Sequence, residues 1–112
     1  MSCPDLILVE VLPEASYQEF HLRGAINIPL NAHFENLILQ TFPDKSQTII
    51  VYSLDFECTL SEQAVQRLQE LGYRNIYDYE PGKIDWNAAQ LPVEHGLPKS
   101  IPREKQQGFL FL

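Results

Sequence analysis

Cysteine is scarce in this chain, with two among 112 residues, Cys3 and Cys58. Two thiols cannot make the disulfide framework of a small secreted scaffold, and a bridge between them is unusual in a reducing compartment, so a cytoplasmic location is expected. Long apolar runs are missing as well. The longest are strand-sized, well short of the roughly 20 residues that a bilayer-spanning helix needs, so no membrane role is expected. The opening residues Met1-Ser2-Cys3-Pro4-Asp5 carry neither a cationic region nor a small-residue cleavage site, so no secretory signal is expected. Positive charge is also low: 8 Lys and Arg face 15 Asp and Glu, for a formal net charge of −7. A phosphate backbone is bound chiefly by clustered Lys and Arg, which argues against a nucleic-acid partner. His21, His33 and His95 show no ligand spacing with one another or with a cysteine pair, and neither a metal nor an organic cofactor is expected.

What is present suits one domain. The length matches a single core, and 45% apolar content is enough to fill it without metal or disulfide staples. Charge is uneven along the chain. Residues 1–95 hold 5 basic and 14 acidic side chains, whereas residues 96–112 hold 3 basic and 1 acidic. The chain therefore divides into an acidic body over 1–95 and a basic tail over 96–112, which contains Pro98 and Pro102 and ends Gly108-Phe109-Leu110-Phe111-Leu112. Such an apolar, strand-prone end either folds back over its own acidic body or docks on another chain, in a homodimer or on a different protein.

Apolar patterning predicts an α/β domain. Leu6-Ile7-Leu8-Val9, Ala25-Ile26-Asn27-Ile28, Thr48-Ile49-Ile50-Val51-Tyr52 and Asn75-Ile76-Tyr77-Asp78-Tyr79 read as strands, and their continuous apolar character suits a sheet covered on both faces. Between them, Leu60, Ala64, Val65, Leu68 and Leu71 share one helical face that Gly72 ends. Thr59 and Glu62 stand in capping-box register there, with Ser61 as a competing cap. Phe34, Leu37 and Ile38 mark a shorter helix, and Ile84 to Ala89 a weak helical turn around Trp86, which is expected to fill core. Alternating strands and helices imply a mainly parallel sheet flanked by helices.

Ligands of such sheets bind beyond the carboxyl ends of the strands. The segment to inspect is the loop Ser53-Leu54-Asp55-Phe56-Glu57-Cys58, which enters a helix near Thr59-Leu60-Ser61. A strand–loop–helix joint presents backbone N–H groups and the positive end of a helix dipole, which favour an anion or a thiolate.

The order of motifs resembles a single-domain rhodanese-like sulfurtransferase over about residues 5–95. Leu8-Val9-Glu10-Val11 is similar to the family's first strand, with Glu10 where Asp is usual. His21-Leu22-Arg23-Gly24-Ala25-Ile26-Asn27-Ile28-Pro29 is similar to its "HxPGAxxIP" segment, with Arg23 in place of Pro. Glu70-Leu71-Gly72-Tyr73, Glu80-Pro81-Gly82-Lys83-Ile84-Asp85-Trp86 and Leu91-Pro92-Val93-Glu94 match later landmarks of that family. The resemblance implies a three-layer rhodanese-like fold and a persulfide mechanism, in which a cysteine directly after the "VY" strand end takes up and passes on sulfane sulfur.

That position holds Ser53. A hydroxyl forms no persulfide, and with Tyr52 and Leu54 as neighbours and no local histidine, Ser53 lacks the surroundings of an oxygen nucleophile. The loop is longer than the family's usual cradle, contains neither Gly nor Arg, and carries Asp55 and Glu57; Leu12 stands where the family's first strand often ends in Arg. Two carboxylates at the mouth are expected to repel thiosulfate and to raise the pKa of a nearby thiol. No C-x5-R phosphatase signature occurs, because Ala64 stands where its Arg would be. The expectation is therefore a rhodanese-like protein without standard thiosulfate sulfurtransferase activity, acting as a binding or regulatory module through the loop Ser53 to Ser61. The alternative is a sulfurtransferase that carries a small sulfur species as a persulfide on Cys58, which lies just ahead of the helix where the dipole favours thiolate.

Overall fold

The computed structural model describes residues 6–96. Cys3 and all of the expected tail beyond Gly96 lie outside the described residues. The elements are β1 (Leu6–Glu10), α1 (Glu14–Glu19), β2 (His21–Leu22), β3 (Ile26–Asn27), α2 (Phe34–Thr41), β4 (Thr48–Tyr52), α3 (Leu60–Glu70), β5 (Ile76–Asp78), α4 (Gly82–Ala88) and β6 (Val93–Glu94). The α/β architecture expected from the alternating pattern is present.

Strands β3, β1, β4 and β5 form one sheet in that order, and every pairing in it is parallel. Parallel neighbours need crossover connections, and these carry the helices onto the sheet faces. Alternate residues of each strand then enter different cores. Val9, Ile49 and Val51 meet Phe34 and Ile38 of α2 and Ala64 and Leu68 of α3 on one face. On the other face Tyr52 joins Tyr17 of α1 and Leu22, with Leu8, Tyr79 and Trp86 packed against them. The continuous apolar strands are explained by this double cover.

Several local details depart from expectation. α1 and the small antiparallel sheet of β2 and β6, which pairs His21 with Glu94 and Leu22 with Val93, had no sequence signal. The capping box at α3 does not form: Thr59 makes no side-chain cap, and its hydroxyl instead accepts a hydrogen bond from the Gln63 amide at 3.0 Å. Trp86 is a half-buried edge of the core, meeting Tyr79 edge-on at 5.8 Å and donating its indole N–H to the Pro92 carbonyl at 2.8 Å. Gly72 ends α3 with φ +99°, a left-handed conformation that suits glycine.

Among the described residues, one ion pair is fully buried. Glu10 and Lys83 are 0% and 1% exposed. The Lys83 ammonium donates to Glu10 Oε2 at 3.0 Å and to the carbonyls of Ser16 and Phe20 at 2.7 Å each. The Tyr52 hydroxyl donates to Glu10 Oε1 at 2.9 Å and accepts from the Leu22 N–H at 3.1 Å. Every polar group of the pair thus has a partner, and the network ties β1 and β4 to α1 and α4. Burial pushes the Glu10 carboxyl up, although Lys83 and Tyr52 pull it down.

Candidate functional site

The strand register aligns the carboxyl ends that build the site. Glu10 is opposite Tyr52, and Val51 is opposite Asp78, so the loop after β4 opens beside the end of β5 and the start of α3. The loop is fixed by α4. The Lys83 and Ile84 N–H groups donate to the carbonyls of Ser53 and Leu54 at 3.1 and 3.0 Å. Gly82, at φ +78°, lies so close that a Cβ there would overlap the Leu54 carbonyl. Only glycine allows this approach.

Within the loop, Asp55 is held by the backbone. Its Oδ1 accepts the Glu57 and Cys58 N–H groups at 3.0 and 3.1 Å, which folds the loop into a local turn. Phe56, at the tip, is 69% exposed.

Beneath the turn lies a cavity of about 130 Å³ lined by Phe56, Cys58, Ser61, Glu62, Asp78 and Glu80. Ser53 is not in its lining. It is 1% exposed, and its hydroxyl donates to Ser61 Oγ at 3.3 Å, with the Cys58 carbonyl at 3.5 Å. Cys58 is half-buried and reaches the cavity. Burial raises its thiol, but hydrogen bonds from the Ser53 hydroxyl and the Leu60 and Leu54 N–H groups outweigh burial and the Asp55 charge, so the thiol sits below its usual value. The expectation that Asp55 and Glu57 would raise it is corrected here: the cradle donors at the start of α3 dominate.

A lowered thiol pKa enlarges the thiolate share at neutral pH and extends reactivity to lower pH than for a free cysteine. Ser53→Ala removes one donor to the thiolate. Alkylation of Cys58 by iodoacetamide at pH 7, followed on its peptide by mass spectrometry, is expected to slow roughly tenfold, the equivalent of about 1.4 kcal/mol for a hydrogen bond to a charged group. An unchanged rate would show that Ser53 does not hold the thiolate.

Asp78 and Glu80 were not anticipated as site residues. Asp78 reads as the end of a strand, and its signal was an acidic residue in an otherwise apolar strand. The histidines stand apart from the cavity. His21 is buried, stacks on Tyr17 with ring centroids 3.7 Å apart, and donates Nδ1–H to the Tyr17 carbonyl at 2.8 Å. The role of His21 is structural hydrogen bonding.

Comparison with known proteins agrees with this geometry. The model of the Rhodanese-like domain matches residues 1–89. The HTH-type transcriptional regulator Rv0324 of Mycobacterium tuberculosis is 32% identical over 94 residues, which cover 84% of this chain and 40% of that protein. The thiosulfate sulfurtransferase PspE of Escherichia coli is 38% identical over 71 residues, covering 61% of this chain and 62% of that protein. The chain thus aligns with less than two thirds of the length of either relative. A solved structure described as rhodanese with anions from E. coli superposes with a TM-score of 0.68 at 32% identity, covering 81% of this chain and 99% of that one. This chain belongs to the rhodanese-like domain family.

Proposed function

We propose that this domain carries sulfane sulfur on Cys58, that Ser53 serves as a hydrogen-bond donor to that thiol, and that thiosulfate is a poor donor. The observation behind the reading is the placement of the two side chains: Cys58 lines the cavity, and Ser53 is buried outside its lining. The sulfurtransferase relative makes sulfur chemistry the natural use of this fold.

The chemistry needs no external oxidant. The Cys58 thiolate attacks the outer sulfur of a persulfide donor R–S–SH. A bond forms between Sγ and that sulfur, the donor S–S bond breaks, and R–S⁻ leaves. A second thiolate then attacks the outer sulfur of the Cys58 persulfide and releases Cys58 as thiolate. Glu62, Asp78 and Glu80 in the lining disfavour a dianion such as thiosulfate, whereas an alkyl persulfide carries at most one negative charge and is repelled less.

The test is to incubate the protein at low salt with an alkyl persulfide or with thiosulfate and to read the Cys58 peptide for one added sulfur. The adduct, a gain of about 32 Da, is expected with the persulfide. Thiosulfate is expected to label at least about tenfold more slowly, with the gap narrowing as salt screens the carboxylates. Failure of both donors to label Cys58 would overturn the reading.

A second reading is a binding or regulatory module without turnover. It is favoured by the apolar side chains beside the mouth, where Phe56, Leu54 and Ile84 are 69%, 37% and 47% exposed, and by the similarity to a transcriptional regulator. In that reading the loop Ser53 to Ser61, or the tail, presents a surface to a protein partner.

A further inference from the structure

We propose that residues 97–112 fold back on their own domain and seat Phe109 to Leu112 in the groove between α4 and the loop after β4. Docking there does not depend on Cys58 acting as a sulfur carrier.

The groove holds about 440 Å³, within the roughly 300–1,000 Å³ of natural ligand sites. Its apolar lining is Phe56 at the loop tip, Pro81, and Ile84 and Ala88 of α4. Ile84 and Ala88 stand four residues apart, so they share one face of that helix. Phe56 and Ile84 are both exposed, and covering them with another segment removes apolar area from water. Asp55, Glu57 and Asp85 complete the lining, and among the described residues no Lys or Arg belongs to it. An apolar strip flanked by carboxylates fits a segment that is both apolar and basic.

The chain carries such a segment. Residues 97–112 hold Lys99, Arg103 and Lys105 against Glu104 alone, followed by Phe109-Leu110-Phe111-Leu112. A second groove of about 380 Å³, beside Val11, Leu30 and Leu60, has Glu14 as its one carboxylate among the described residues. It therefore matches a basic segment less well.

The tether is long enough. The Gly96 N–H donates to the Gln18 carbonyl of α1 at 2.9 Å. The Lys83 ammonium of α4 binds the Ser16 carbonyl of the same helix and the Phe20 carbonyl just after it. Crossing from α1 over α4 takes roughly 20–25 Å, about two helix diameters. The 13 residues from Gly96 to Phe109 span up to about 43 Å. Tethering at Gly96 also gives the segment an effective concentration on the order of millimolar, so modest contacts keep it docked. Phe56 lines the Cys58 cavity as well as this groove, and the docked segment rests on a side chain that also walls the cavity.

Backbone amide NMR spectra of the full chain test this. Phe109→Ser combined with Phe111→Ser removes the apolar contacts. The amide signals of Phe56, Ile84 and Ala88 are then expected to shift, while those of Val11 and Leu30 stay in place. A synthetic peptide of residues 97–112, titrated to millimolar concentration into that double variant, is expected to return the shifted signals towards their wild-type positions. The same peptide is expected to bind the wild-type chain at least about tenfold more weakly, because the tethered segment already fills the groove. Ile84→Lys, added to the double variant, is expected to weaken peptide binding at least about tenfold, since it replaces an apolar contact with a like charge. Ile84 is exposed, so this change leaves the core intact. Unchanged signals at Phe56, Ile84 and Ala88 in the double variant overturn the inference, as does a shift confined to Val11 and Leu30. Equal peptide affinity for both chains, or none for either, also overturns it. A dimer in light scattering, with groove signals that move to the double-variant positions on dilution, assigns the groove to the segment of a second copy and overturns docking within one chain.

Discussion

Replacing Cys58 with Ser is expected to abolish sulfur uptake altogether. The substitution is nearly isosteric, but an alcohol oxygen neither ionises at neutral pH nor forms a transferable persulfide, whereas a thiolate does both. The cavity, the Ser53–Ser61 hydrogen bond and the loop anchoring by Lys83 and Ile84 do not involve the Cys58 sulfur, so the variant is expected to melt within a degree or two of the wild type. The measurement is the mass of the intact chain after exposure to an alkyl persulfide. In the wild type the added sulfur maps to the Cys58 peptide. In Cys58→Ser no sulfur appears between Leu54 and Arg67. Cys3 serves as a second reporter, since labelling confined to it in both proteins would mean that Cys58 has no special reactivity. Ser53→Cys is a complementary probe. Ser53 is 1% exposed, so a thiol there is expected to label more slowly than Cys58 despite occupying the family's nucleophile position.

The largest loss of stability is expected from Lys83→Met. The change keeps an apolar stem of similar length and removes the ammonium, leaving Glu10 buried without its cation and the Ser16 and Phe20 carbonyls without a donor. Removing one member of a buried ion pair costs about 3–5 kcal/mol, a large part of the roughly 5–15 kcal/mol that a domain of ordinary size possesses. The pH dependence has a definite sign. Burial already holds the folded-state pKa of Glu10 above its unfolded value, and loss of Lys83 raises it further. A carboxyl raised on folding contributes stability that is present below the unfolded pKa and lost as pH rises through the folded one. The Lys83→Met penalty is therefore largest at neutral pH and shrinks on acidification, as Glu10 becomes neutral. Urea denaturation of both proteins at several pH values measures it. Adding Glu10→Gln to Lys83→Met removes the uncompensated charge and is expected to recover part of the loss. A penalty that does not depend on pH would mean that packing, not charge, dominates at this site.

Much of the fold was legible in the chain. Thr48 to Tyr52 is a run of β-branched and aromatic residues, and it is the central β4. Leu60, Ala64, Val65, Leu68 and Leu71 recur at helical spacing, and α3 buries Ala64 and Leu68. These signals are local and repeated, so they survive into the structure. α1 was not legible because a single buried side chain, Tyr17, sets its orientation, and one residue makes no period. β2 and β6 have two residues each, and their partners come from opposite ends of the domain.

The site divides along the same line. The sequence by itself determined the chemistry on offer: a serine where a rhodanese-like nucleophile stands, one cysteine later in the loop, and an acidic body. Only the tertiary structure decided how those groups are used. The Lys83 and Ile84 N–H groups and the close approach of Gly82 fix the loop, and within it Cys58 reaches the cavity while Ser53 is buried outside the lining. The register of β4 against β5 sets Asp78 opposite Val51, and the cavity it lines is shared with Cys58 and Ser61. The Glu10–Lys83 pair joins residues 73 positions apart. Residue type follows from the chain alone, whereas side-chain direction, exposure and pKa depend on which distant segments pack against each group and exclude water from it.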